Sequence, residues 1–325
     1  MSPIHSQPHE FQTWPIVRTR PSQKAYGKSI SVFISNPGCN LTTVDVYEDG
    51  VVDAWELLDL PAFKAKLQKQ WVIPAPKDET QIIRVHHFGT TGFRHGDWWQ
   101  SPASIFNQAE AIILSLNPCL TGLADVEAIT GTFERTALGI LVVPCDKKPY
   151  RMIKPDADEI LGSVFPILRR FSDSFELTQL FLFSDGQAQI GPGGELFPLD
   201  QMPFKFDCGE ITNTAPKGSR VIFPGLGSIE TTQDFGIVTD KDRIGELTDK
   251  LRTMNGLTSI VTMTGLAFGE YENNPSPENK EALRKLYESV PAHLRLYCGD
   301  MDTRDYKIQE VLYGKDFWRR STFRG

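Results

Sequence analysis

The sequence predicts an α+β protein made of two diverged tandem copies of one module, each an antiparallel strand group with helices packed on it. A duplication is the first reason. Residues 41–50 (LTTVDVYEDG) return in changed form as 177–186 (LTQLFLFSDG), an offset of 136, and Asn117 returns as Asn255, an offset of 138. Leu58, Asp59, Pro61, Phe63 and Lys64 find counterparts in Leu199, Asp200, Pro203, Phe204 and Lys205, and Ala-Pro-Lys stands at both 75–77 and 215–217. The second reason is that strand-like and helix-like periodicities run through each copy in the same order, as layered α+β modules require. The third is size: 325 residues suit two domains, and 40% hydrophobic with 10% aromatic residues supplies two cores and excludes global disorder.

Residues 1–24 carry four prolines, which remove donors and disfavour helix, so an extended or mobile arm is expected there. A short strand follows at 29–35 and another at 41–47, where Val44 and Val46 share one face. Glu48-Asp49-Gly50 makes a tight turn, because Gly allows positive φ and Asp bonds its local backbone, and 51–55 returns as the hairpin partner. The second copy repeats the turn at 184–186 and the return at 187–190, then inserts Gly191-Pro192-Gly193-Gly194, which the first copy lacks. Insertions in repeats fall on exposed loops, often on one functional face.

Residues 60–70 read as a helix, with Pro61 in the first turn and Phe63 and Leu67 four apart. The counterpart at 202–209 has Phe204 and Phe206 in alternation and reads as extended. A strand at 81–88 matches a shorter one at 220–223. Ser101-Pro102 caps a helix whose stripe is Ile105, Phe106, Ala109, Ile112, Ile113 and Leu116; Thr239 caps the equivalent, with Ile244, Leu247, Leu251 and Met254 as its stripe. Between the copies, 144–155 reads as a linker and 156–171 as a helix, with Asp156 and Glu159 in capping-box spacing and a kink at Pro166. Beyond the second copy, 259–268 is Thr-rich and apolar and reads as a strand, Ser276-Pro277 opens a helix to Val290, and a last short helix runs from 303 to 313. The expected organisation is an N-terminal arm at 1–24, modules at 25–143 and 173–314 joined by a linker and helix at 144–172, and a basic aromatic tail at 315–325.

The formal net charge of −7 argues against a nucleic-acid binder, whose affinity rests on a basic face, and favours a basic protein partner. Five scattered cysteines fit neither a disulfide framework nor a zinc motif. With no secretory leader and no long apolar run, the expected compartment is the reducing cytoplasm, away from membranes.

The densest polar and aromatic segment runs from His86 and His87 to His95, Asp97, Trp98 and Trp99. His95 and Asp97, joined by His87, are the catalytic candidates, since an imidazole and a carboxylate near a glycine turn form an acid/base pair. Adjacent His86 and His87 on a strand would point to opposite faces, so only one can join. Asp300, Asp302 and Asp305 have the look of oxygen ligands, yet capping of the last helix explains the same letters. The Gly191–Gly194 loop lacks the Lys-Ser/Thr of a phosphate loop, and no serine sits in a nucleophile elbow. No cofactor is implied. Gly191 and Gly193 on the insertion, with Trp318, Arg319 and Arg320 on the tail, are the partner-binding candidates, because Trp and Arg supply interface anchors. The sequence therefore points to a non-enzymatic protein-interaction module, immunity-like or regulatory, with a hydrolase site between the modules as the alternative.

Overall fold

The computed structural model describes residues 15–314, apart from 21–22, 37, 127–133, 136–140, 143–145, 153–158, 192 and 300–303. The chain divides into two compact units between Gly236 and Ile237. Both strand groups belong to the first unit, so the units do not follow the module bounds expected above.

The first copy comprises β1 (Pro15–Arg20), β2 (Gln23–Ser35), β3 (Cys39–Tyr47), β4 (Val52–Asp53), β5 (Leu57–Leu58), α1 (Leu60–Gln68), β6 (Val72–Ile73), β7 (Ile83–Val85), β8 (Gly89–Thr91), β9 (Phe93–Trp98) and α2 (Pro102–Leu116). A small hairpin, β10 (Glu134–Arg135) and β11 (Leu141–Val142), precedes the second copy. That copy comprises β12 (Asp146–Met152), β13 (Glu159–Phe171), β14 (Ser174–Phe183), β15 (Gln187–Ile190), β16 (Leu196–Pro198), α3 (Met202–Asp207), β17 (Ile211–Thr212), β18 (Arg220–Phe223) and β19 (Gly227–Thr231). The arm is thus a strand over 15–20, paired with both β2 and β12.

The duplication is written in the hydrogen-bond ladders. In the first copy β3 pairs antiparallel with β2 and β4 and parallel with β7, while β2 also pairs β6. In the second, β14 pairs antiparallel with β13 and β15 and parallel with β18, while β13 also pairs β17. Even the register is kept: Cys39 faces Ile83 as Phe175 faces Val221, and Asp45 faces Asp53 as Phe181 faces Gln189. The tight turns are the same device, with Gly50 at φ 84° and Gly186 at φ 81°.

Three sequence expectations are corrected. The stretch expected as linker and helix holds two strands, β12 at 146–152 in the linker and β13 at 159–171 in place of the helix, the latter being the counterpart of β2; Pro166 sits opposite Gln179 in a ten-pair ladder with β14. Phe165, Ile167 and Leu168 are buried there, and that long pairing outweighs a local capping pattern. Residues 202–207 are helical, not extended. Residues 260–273 form a helix rather than a strand: the Ser259 side chain accepts the Thr262 N–H, and Thr264 and Ala267 are buried at helical spacing.

The two copies share one core. Phe33, Ile83, Val85, Phe88 and Phe93 of the first interlock with Leu168, Val221, Phe223, Leu226 and Phe235 of the second. Trp98 stacks on Phe223 and meets Phe33 edge-on at 5.5 Å. Two antiparallel pairings cross between copies, β1 with β12 and β9 with β19. In the second, a Cβ on Gly227 would lie 2.1 Å from the Asp97 carbonyl, so only glycine allows that approach. A separate apolar layer covers the first copy, where Ile105, Ala109, Ile112 and Ile113 of α2 and Phe63 and Leu67 of α1 lie with Val32, Val44 and Val46.

The second unit is helical: α4 (Asp240–Met254), α5 (Ile260–Asn273), α6 (Pro277–Ser289), a 3-10 turn (Ala292–Tyr297) and α7 (Tyr306–Tyr313). Leu283, Tyr287, Val290, Ile308 and Leu312 form its core. Asp305 accepts from the Tyr287 hydroxyl and the Gln309 amide, both at 2.6 Å, which makes it a structural carboxylate. Of the expected stripe of α4, Leu247 is buried and Ile244, Leu251 and Met254 are partly buried, while Arg243, which the stripe did not include, is buried as well. Arg243, fully buried, pairs with Glu246 at 2.5 Å, whose carboxylate also meets His293 at 3.2 Å. Burial opposes ionisation of Asp242, yet the Ala292 amide, the Thr239 hydroxyl and the charges of His293 and Arg295 outweigh it and hold its carboxyl below the usual range.

Candidate functional site

The histidine segment does not assemble an acid/base site. His86 and His87 form the turn between β7 and β8, closed by the Phe88 N–H on the Val85 carbonyl, with His87 at φ 56°. The expectation that they alternate on a strand is therefore corrected; their exposed rings lie side by side, 3.7 Å apart at their centroids. The second copy makes the same turn with Gly225 at φ 76°. His95 and Asp97 are exposed on β9: the His95 N–H donates to Glu79 at 2.8 Å, and Asp97 accepts from the Trp99 indole at 3.3 Å. Among the described residues no hydrogen bond joins His95 to Asp97, and no group of three His, Cys, Asp or Glu side chains is placed to hold a metal. Trp318, Arg319 and Arg320 lie outside the described residues.

The insertion lies beside a concave site. Gly191 and Gly193, both at φ 68°, carry the chain from β15 to β16. The loop is held by the Gly191 N–H on the Gln179 carbonyl at 2.8 Å and by the Gln189 amide on the Gly194 carbonyl at 2.7 Å. Next to it opens a cavity of about 350 Å³, lined by the apolar Ile190 and Phe197, by Gln201 and Lys205 from the α3 side, by Arg169 from β13 and by Glu210 just before β17. Glu195, exposed, also lines it. Lys205 pairs with Glu210 at 3.0 Å, and its ammonium lies 4.6 Å from the centre of the Phe197 ring.

Registering the two helices shows where this cavity comes from. At the end of α1 the Lys69 N–H reaches Ala65 and the Trp71 N–H reaches Lys66; at the end of α3 the Cys208 N–H reaches Phe204 and the Glu210 N–H reaches Lys205. Gln70 and Gly209, at φ 57° and 74°, are the left-handed residues of the same C-terminal motif. Each pair is 139 apart. The matching of Phe63 with Phe204 and Lys64 with Lys205 is therefore off by two residues: Phe63 corresponds to buried Met202, Leu67 to Phe206 and Ala65 to Phe204, which is 71% exposed. Asp53 corresponds to Gln189 and Leu57 to Leu196, so the insertion amounts to three residues.

In that register the cavity's surroundings are a rewritten first copy. Arg169 replaces Ile34, Glu210 replaces Trp71, and Gly191 replaces Trp55 directly after the buried pair Ala54 and Ile190. In the first copy Trp55 meets Trp71 edge-on at 5.9 Å, Lys66 stands 4.8 Å over Trp71, and Lys66 is ion-paired with Glu56. The cavity lies where the first copy places Trp71, whose counterpart Glu210 is part of its lining, and next to Gly191, the counterpart of Trp55. The sequence flagged the insertion but not Arg169, Lys205 or Glu210, because the false Phe-Lys match hid the substitution of Trp71 by a carboxylate.

A family model described as a domain of unknown function, DUF7638, matches residues 15–120 and 150–258. The chain belongs to the DUF7638 family. The two matches begin 135 residues apart, the same separation that relates Ile34 of β2 to Arg169 of β13, so each DUF7638 copy opens with the strand before its long hairpin. A second model, DUF7639, matches 262–319, from α5 onward. No curated protein and no solved structure matches the chain.

Proposed function

We propose that this DUF7638 protein is a cytoplasmic protein-interaction module that neutralises or regulates another protein, in the manner of an immunity protein. Trp55 carries the reading. It sits at φ 68° with half of its surface exposed, while the second copy answers the same position with Gly191 at the same φ. A bulky residue in the left-handed region costs about 1–3 kcal/mol, which glycine avoids. Its edge-on contact with Trp71 leaves half of the indole exposed despite that cost, and Trp is among the residues that most often dominate interfaces, which supports a use outside its own core. Its indole N–H is only loosely engaged, 3.4 Å from the Thr42 hydroxyl, and is available to a partner acceptor. The net charge of −7 suits a basic partner.

The test is affinity capture of the tagged protein from its own organism at about physiological ionic strength, where close contacts survive screening, alongside a Trp55→Gly variant. One stoichiometric partner bound by the wild type and lost from the folded variant is the expected result. Recovery of no partner, or of one indifferent to Trp55, would sink the reading.

A further inference from the structure

We infer that the cavity of the second copy receives an indole ring presented by the partner protein. The inference rests on the protein-interaction reading and adds the chemistry of one contact. The same scaffold, in the first copy, holds an indole of its own: Trp71, partly buried, has the Lys66 ammonium 4.8 Å over its ring and meets the Trp55 ring edge-on at 5.9 Å. The second copy keeps the cation as Lys205, keeps an acid beside the loop as Glu195 and substitutes the Phe197 ring for Leu58, while both indoles are gone.

What remains discriminates among occupants. Lys205 and Arg169 offer cations to the face of a ring, an attraction that aliphatic groups do not share. The Arg169 guanidinium lies 5.8 Å from the centre of the Phe171 ring and carries no ion pair among the described residues, which leaves its other face for stacking on a ligand ring. Glu195 and Glu210 provide carboxylate acceptors for the indole N–H, which a phenyl ring lacks. An aliphatic side chain would strip water from these charges and return nothing. The volume of about 350 Å³ lies at the small end of ligand clefts, adequate for one bicyclic side chain and its approach.

The experiment is a titration of the full-length protein, followed by amide NMR, with N-acetyl-tryptophanamide and N-acetyl-leucinamide as matched probes. Expected are saturable shifts of the Gly191, Gly193 and Gly194 amides with the tryptophan probe and about ten-fold weaker binding of the leucine probe. Glu210→Trp, which refills the cavity as Trp71 does, should abolish the shifts with a dispersed spectrum retained. Arg169→Ile, restoring the first copy's residue, should weaken binding by about three-fold or more and serves where the Trp variant does not fold. Equal response to both probes, or indole binding indifferent to both variants, overturns the inference. Indole binding without any captured partner would keep this contact and remove the protein-interaction reading; a captured partner that ignores Glu210→Trp would do the reverse.

Discussion

Trp55 and Gly191 pose the same backbone question and answer it differently, which makes the cost of the answer measurable. Replacing Trp55 by Ala discards the Trp71 contact and keeps the left-handed strain, whereas Gly discards both. The Gly variant should therefore be the more stable of the two by about 1 kcal/mol in urea unfolding; an Ala variant equal to it would show that φ 68° is not strained. Burial sorts the cysteines at the same scale. The Cys39 thiol is pushed up to about 12 and the Cys298 thiol to about 11 by burial, while Cys119 and Cys208 are exposed. Mapped alkylation at pH 8 should label Cys119 and Cys208 and spare the buried pair. Because the folded state holds the Cys39 proton more tightly than the unfolded chain does, its contribution is complete below about pH 9 and fades as pH rises toward 12. The urea midpoint should fall over that range with a smaller slope in Cys39→Ala, and an unchanged slope would refute the assignment.

At the scale of elements, letters and ladders disagreed where a short match was rewarded too readily. The hairpins at 41–55 and 177–190 were legible because a tight turn with glycine fixes register on both sides. The helix at 102–116 was legible because an unbroken 3.6-residue stripe and a Ser-Pro start agree. By contrast, the Asp156–Glu159 capping-box spacing that leads into β13 is overridden by the pairing of β13 with β14, and α5 opens on Ile260, Val261, Thr262 and Thr264, β-branched residues whose strand preference yields to a capped helical turn. The helix α3 was missed because its two phenylalanines are one residue inside and one outside. That difference gives a direct check of the 139-residue register: Phe206→Ala, removing a buried ring, should cost about 3–5 kcal/mol, and Phe204→Ala well under 1. Equal costs would restore the Phe63–Phe204 correspondence and with it remove the account of how the cavity arose. The site itself was half legible: the inserted glycines pointed to its edge, while Arg169 and Glu210 emerge only once the copies are paired by hydrogen bonds rather than by similarity.

At the scale of the molecule, the duplication does not yield two independent domains, and the reason is the destination of the apolar faces. The first copy has one face under its own helices and another that meets its sibling, and that sibling face consists of Phe33, Ile83, Val85, Phe88 and Phe93. Neither face could be exposed without presenting a contiguous apolar patch. The ladders agree, since β1 and β9 each complete their pairing on a strand of the second copy. An isolated first copy, residues 15–126, should consequently fail to give a folded monomer: it should aggregate, or else associate with a second molecule of itself through the same strands, as a ancestral single copy would have had to do. Sedimentation together with amide NMR decides the matter. A monomer with a dispersed spectrum would show that the first copy's core is self-sufficient and that the shared aromatic layer is an accessory. A dimer would show that the crossing strands and the shared aromatic layer demand a second copy, which the present chain supplies from within itself.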